Sequence, residues 1–249
     1  MTRGVAYEIR DRVATVTLDR PGDANRLTNE MAAALIDASE AAEDSDAIAV
    51  VVRGSGRWFC AGLADGVVAE ELQGRRSPID AVARVTKPVV AVLDGPAIGP
   101  GAELVLAADL RIAADTATLE FPDVGNGRLP CFGATQRLPR LVGRARALEI
   151  LLLGTPVCAA EAAELGLVTR VAAPGELEAV VEEVVGVLCA CGPLALVLAK
   201  EALRRACDLP LAEGLRLEED LYALLQTTAD RREGVRSFLK GRPPRFRGR

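Results

Sequence analysis

Histidine is absent from all 249 residues. Its absence excludes Ser-His-Asp and Cys-His nucleophilic catalysis and any histidine-held metal, so acid–base chemistry falls to carboxylates, Lys, Tyr or Cys. Aromatic residues are nearly as scarce, at 3% of a chain that is 50% hydrophobic, and the core is therefore expected to be aliphatic. Long apolar runs are also lacking. The apolar windows are cut by Asp94, Pro96, Glu103 or Asp109, which argues against a bilayer span. No basic stretch followed by an apolar one marks a secretory leader, so the expected location is the cytoplasm, with no membrane partner. A net charge of −5 argues against nucleic acid as a partner.

The six cysteines show no metal-ligand spacing. They are expected to be reduced and mostly buried, with no metal and no separate cofactor. The Arg-rich end, Arg242 to Arg249, stands apart from the acidic average and reads either as a solvated tail or as one that contacts an anion.

At this length the chain is one large domain, or one domain with a helical appendage. Residues 5–9 and 13–18 read as paired strands, and 29–43 as a helix capped by Thr28 or Asn29. Residues 48–53 read as a buried strand, 66–86 as helix with a mobile break at Gln73–Pro78, and 89–93 as a second buried strand. Further strands are expected at 110–113, 118–121 and 167–171. Helices are expected near 175–190, 193–206, 212–228 and 231–240. Strand–helix alternation followed by helices alone predicts an α/β core with a helical C-terminal region.

The organising stretch is Asp94 to Leu110. A strand runs into Gly95, Gly99 and Gly101, and an apolar helix opens near Pro100 with Glu103 in its first turn. A helix N-terminus offers free N–H groups to a negative charge, but Pro100 has none to give. Glu103 and Asp123 are the candidates for paired acid–base work, since a carboxyl in an apolar cleft titrates near neutrality. Plainer readings stand beside these. An acidic residue suits a helix's first turn through the macrodipole, and a loop Asp makes Asx turns.

Several segments together resemble the crotonase superfamily, which includes enoyl-CoA hydratase. These are Leu18-Asp-Arg-Pro21 with Asn25-Arg-Leu27, Gly54 to Gly62, Lys87 to Val92, Gly95 to Asp109 and Phe121-Pro-Asp-Val124. They continue with Gly133 to Gly143, Ala159 to Val168, Pro193 to Leu196 with Lys200, and Glu233 to Phe246. The resemblance implies a crotonase-like spiral of ββα turns over residues 1–190. It implies a C-terminal helical trimerisation region over 191–249, and homotrimers or hexamers built as dimers of trimers. It also implies an acyl-CoA thioester as substrate, coenzyme A being part of that substrate.

By the same resemblance, Glu103 and Asp123 take the places of the two hydratase glutamates, with Asp123 one methylene shorter. Leu63 takes the place of the first oxyanion donor. The CoA ester is expected along Asn25, Arg26 and Leu27 and along Ala61, Gly62 and Leu63, with Phe132 at the acyl pocket. Arg26 stands where the family carries a small residue, and a common phosphate-binding Lys is missing from Ala64–Val67. The second oxyanion position falls on Pro100. Either Pro100 is simply a well-placed first helical residue and Gly101 or a water supplies the donor, or one donor is lost. Hydration of a 2-enoyl-CoA is the expected reaction. The alternatives are isomerisation, decarboxylation or thioester hydrolysis on a CoA ester, or non-catalytic acyl-CoA binding.

Overall fold

The computed structural model describes residues 4–74 and 77–249. A hairpin opens the chain, with β1 (Val5–Arg10) antiparallel to β2 (Val13–Leu18). Its two turn residues, Asp11 and Arg12, both have positive φ (48° and 63°), the geometry that matches the twist of a two-residue hairpin. Helix α1 (Asn29–Asp44) follows, its first turn closed by the Thr28 hydroxyl accepting from Met31 N. Strand β3 (Ala49–Gly54), helix α2 (Pro78–Arg84) and strand β4 (Val89–Leu93) continue the alternation. Next come β5 (Ala97–Ile98), α3 (Pro100–Ala107), β6 (Leu110–Ala114) and β7 (Thr118–Glu120).

The rest of the core is α4 (Ala134–Leu153), β8 (Val157–Cys158), α5 (Ala159–Glu164), β9 (Arg170–Ala172) and α6 (Leu177–Ala190). Helices α7 (Pro193–Ala206), α8 (Leu211–Gln226) and α9 (Ala229–Leu239) complete the chain.

The strands form two sheets. The larger runs β1-β2-β3-β4-β6-β9 and is parallel after the first hairpin, with Val13 opposite Ala49, Val50 opposite Val89 and Val90 opposite Leu110. The smaller runs β5-β7-β8. Strand β4 is buried throughout, as a parallel strand covered on both faces must be, which explains its unbroken Val/Ala/Leu sequence. One face of the large sheet joins the main core, where Ala14, Val16, Leu18, Val50 and Val52 meet Met31 and Leu35 of α1. The other face carries Val51, Val90, Val92 and Ile112 under Leu177 and Val181 of α6.

Several sequence expectations need correction. The last strand lies at 170–172, not 167–171. Residues 66–86 are not one broken helix: a 3-10 turn at Ala69–Leu72 and the short helix α2 at Pro78–Arg84 stand apart. The expected break at Gln73–Pro78 includes Arg75 and Arg76, which lie outside the described residues. Strands β5 and β8 went unread because two-residue strands carry no periodicity. The cysteines are free, but only Cys60 is buried, and Cys131, Cys158 and Cys207 are exposed.

The Arg-rich end has a docked main chain. Asp230 accepts from Arg247 N and Gly248 N, both at 2.7 Å, and Glu233 accepts from Arg242 Nη1 at 2.8 Å. The α7–α8 segment is tied to the core through Lys200. This buried ammonium donates to Asp109 Oδ2 at 2.5 Å and to the Lys87 carbonyl at 2.8 Å. Among the described residues no single helix is long and apolar enough to cross a membrane.

Candidate active site

A cavity of about 630 Å³ opens beside the end of β5 and the start of α3. Its lining comes from Arg26, from Ala61-Gly62-Leu63, from the 65–73 segment, from Ile98-Gly99-Pro100, from Pro122 and Asp123, and from Arg128, Leu129 and Cys131. Two isolated bridges bring these loops together, Leu27 with Leu63 and Cys60 with Ala97.

Leu27 N donates to Gly62 O and Ala64 N donates to Leu27 O. In this parallel pairing the N–H of Leu63 points away from Leu27, so it is not consumed by the bridge. On the other side Ile98 N donates to Cys60 O, and Gly99 N donates to Glu120 O. Gly99 (φ 52°) then caps α3, and Pro100 begins it. The pyrrolidine Cδ of Pro100 occupies the place of an amide hydrogen, and a Cβ on Gly62 would lie 3.7 Å from it. Gly101 is buried and is not part of the lining. A Cβ there would come within 2.1 Å of the Cys60 carbonyl oxygen, so the α3 N-terminus is pressed directly onto that loop.

Glu103 is 1% exposed and lies behind the lining rather than in it. Its Oε1 accepts from Phe132 N at 3.0 Å and from Ala134 N at 2.8 Å. Those two amides come from the turn entering α4, so Glu103 is not simply an exposed acid answering the helix dipole. Burial pushes its pKa up to about 7, against the opposing pull of the two N–H groups. Asp123 adds like charge that raises it, and Arg137 lowers it.

Asp123 is also buried, at 8% exposure, and caps no turn with its side chain. Oδ1 lies 3.8 Å from Arg128 Nε. Oδ2 is buried without a hydrogen-bond partner, and it faces Gly99, where a Cβ would stand 3.7 Å away. A buried carboxylate oxygen with no partner is costly unless something else fills the place.

The remaining residues divide by surroundings. Ala61, Gly62, Leu63 and Arg26 line the cavity, with Arg26 Nη1 3.9 Å from Asp65 Oδ1. Asn25 and Leu27 do not. The Asn25 side chain accepts from Arg20 N and donates to the Ser55 and Trp58 carbonyls, which fixes the loop, and Leu27 is fully buried. The Phe132 ring is buried in the core, and its contribution to the site is its N–H to Glu103. Cys131 lines the cavity in its place. Burial and the nearby Glu103, Asp123 and Glu70 push its thiol up, so it offers no thiolate nucleophile. Glu70, Gln73, Arg128 and Leu129 were not singled out from sequence, because exposed loop side chains carry no local signal of convergence.

The Enoyl-CoA hydratase/isomerase family model matches residues 8–249. The 2,3-dehydroadipyl-CoA hydratase of Escherichia coli strain K12 is 35% identical over 247 residues, covering 96% of this chain and 97% of the relative. An enoyl-CoA isomerase/hydratase of Mycosarcoma maydis is 38% identical over 209 residues, covering 80% and 76%. The crystal structure of an enoyl-CoA hydratase from Bacillus anthracis superposes with a TM-score of 0.94 at 32% identity, covering 99% of this chain and 100% of that one. With its α/β fold, its cavity and its match over nearly the whole length, the chain is an enzyme of the enoyl-CoA hydratase/isomerase family, within the crotonase superfamily.

Proposed function

We propose that the protein hydrates a 2-enoyl-CoA. The observation that carries this reading is the unpartnered, buried Oδ2 of Asp123 beside a carboxyl, Glu103, whose pKa is raised to about 7. Two carboxyl groups in one buried site, one of them able to hold a proton at neutral pH, are the equipment for handling one water. Water oxygen attacks C3 of the enoyl group, a carboxylate takes the water's proton, and the protonated partner delivers a proton to C2. Negative charge gathers on the thioester oxygen between the two events, and the free N–H of Leu63 stabilises it. Pro100 contributes no second donor, and Gly101, outside the cavity lining, is poorly placed to replace it. The acyl-CoA enters past Arg26 along Ala61-Gly62-Leu63, and the acyl group lies toward Cys131, Leu129 and the 69–73 segment.

Glu103→Gln and Asp123→Asn are each expected to lower kcat on a 2-enoyl-CoA by about a hundred-fold or more, with KM changed little. The assay is loss of the enoyl-thioester absorbance over a panel of chain lengths. A folded protein that turns over no 2-enoyl-CoA sinks the hydratase reading.

A second reading, double-bond isomerisation, is the other activity in the description of the family model that the chain matches. Isomerisation passes through the same thioester enolate, so the missing N–H at Pro100 burdens both reactions, but isomerisation needs no water in the site. Product mass separates the two, since hydration adds water and isomerisation changes no mass. Unchanged CoA-ester binding with no activity in either assay would point instead to a binding protein.

We further infer that residues 191–249 pack against neighbouring copies in a trimer. Leu203, Leu211, Leu215 and Tyr222 on α7 and α8 are 50–79% exposed in the single chain, and apolar side chains gathered in this way mark an interaction surface.

A further inference from the structure

We infer that Arg137, clamped by Asp80, is the positioning residue that aims the two backbone donors at Glu103. This rests on the reading of Glu103 as a working carboxyl. Its test, however, has a readout that does not depend on which reaction is catalysed.

The geometry is a relay across three elements. Arg137 lies on the first turn of α4, immediately after the turn that supplies the amides of Phe132 and Ala134. Its Nη1 donates back to the Phe132 carbonyl at 2.6 Å, and its Nη2 donates to Asp80 Oδ1 on α2 at 2.7 Å. Each peptide unit is planar. Holding the Phe132 carbonyl therefore fixes the plane of the Phe132–Gly133 unit, which lies between the two peptide units whose N–H groups, on Phe132 and Ala134, donate to Glu103 Oε1. Gly133 makes the arrangement possible. Its φ of 111° lies where L side chains are strained, and a Cβ there would stand 2.2 Å from Arg137 Nη1. The guanidinium occupies the space that any other residue at 133 would fill.

Arg137 is half-buried, with a side-chain exposure of 24%, and Asp80 is more exposed, at 41%. The planar fork of an arginine can meet two acceptors at fixed angles, which a lysine ammonium cannot do in the same way. Three other acidic groups share this environment, and Arg128 Nε lies 3.8 Å from one of them, Asp123. Asp123 lies across the site from Glu103, Cys131 sits in the turn itself, and Glu70 lies in the opposite wall, near Cys131. All three would add negative charge on ionisation. Arg137 is the cation that opposes them at Glu103, and α2, which holds Asp80, follows directly on the segment that walls the acyl side.

The test compares Arg137→Met, Arg137→Lys and Asp80→Asn with the parent enzyme. Infrared difference spectra follow the protonated carboxyl band of Glu103, assigned by its loss in Glu103→Gln, as pH is varied. Circular dichroism verifies folding. The midpoint of the Glu103 band is expected to move up by about half a unit or more in Arg137→Met, because a cation and aligned donors both favour the ionised form. Asp80→Asn should move it in the same direction by less, and Arg137→Lys should recover part of the shift. On whichever CoA ester is turned over, kcat should fall about ten-fold or more in Arg137→Met with KM little changed, as misplacement of a reacting group does.

A folded Arg137→Met protein whose Glu103 band titrates at the parental pH overturns the inference. If that variant does not fold, an unmoved midpoint in both Asp80→Asn and Arg137→Lys overturns it, and an upward shift in Asp80→Asn sustains it. Were Glu103 to prove uninvolved in catalysis, kcat would be unmoved while the band still shifted, which separates failure of the functional reading from failure of this one.

Discussion

Glu103 carries two consequences at the scale of a single residue. A buried carboxyl with pKa near 7 binds its proton more tightly in the folded protein than in the unfolded chain, where it titrates near 4.3. Between those values the folded state holds more protons, so stability falls as pH rises through the window and is highest below it. The difference amounts to roughly 4 kcal/mol if the whole shift is realised. Glu103→Gln keeps an oxygen for the two amides and removes the ionisation. Its denaturation midpoint should therefore lose most of that decline between pH 5 and 7 and lie above the parent's at pH 8. A Glu103→Gln protein that declines as steeply as the parent would place the raised pKa elsewhere. Pro100 supports a second prediction. If the ring removes an oxyanion donor, Pro100→Gly should raise kcat, by up to about a hundred-fold. A drop in a folded variant would show that the rigid first turn is worth more than an added N–H. Both residues were readable in the sequence because each stands in an unusual place for its type: a carboxylate in an apolar helix, and a proline at a donor position.

At the scale of elements, the chain was legible where periodicity is strong and illegible where geometry is short. The hairpin, the β3–β4 runs and the four C-terminal helices follow from apolar spacing and caps. Strands β5 and β8 contain two residues each, yet β5 and β7 hold the loop that presents Gly99 beside Asp123. The Arg137–Asp80 clamp was invisible for a different reason: its partners are 57 residues apart, and an arginine on a polar helix face reads as solvated. Lys200 also depends on a distant partner. It joins α7 to Asp109 and to the Lys87 carbonyl in a buried site. Lys200→Met leaves Asp109 partly buried without its cation, and should cost about 3 kcal/mol in urea denaturation. A loss below about 0.5 kcal/mol would show that α7 is held by apolar packing alone.

At the scale of the whole molecule, the core and the C-terminal helices differ in how completely they are covered. The main cluster is closed within one chain, whereas Leu203, Leu211 and Phe238 are 73–85% exposed. Sedimentation equilibrium should accordingly find a mass near three or six times 26.2 kDa, and a monomer at micromolar concentration would remove the proposed trimer. The sequence could suggest these helices but not what covers them, since a helix face records that it is buried and not by whom.

The cavity shows a division of labour with an evolutionary side. Glu103 with its two amide donors, and Asp123, the pair proposed to move protons, are buried among α3, α4 and the small sheet, where a change of one methylene disturbs close packing. The lining at Ala69, Glu70, Gln73 and Leu129 is loop or single-turn backbone, and the side chains of Glu70, Gln73 and Leu129 are exposed. Surface loop positions accept substitution at little cost in stability. Mutation can therefore explore new acyl groups at these positions while the proposed proton-handling pair stays fixed, and lineages descended from such a chain can diverge in substrate long before they diverge in fold.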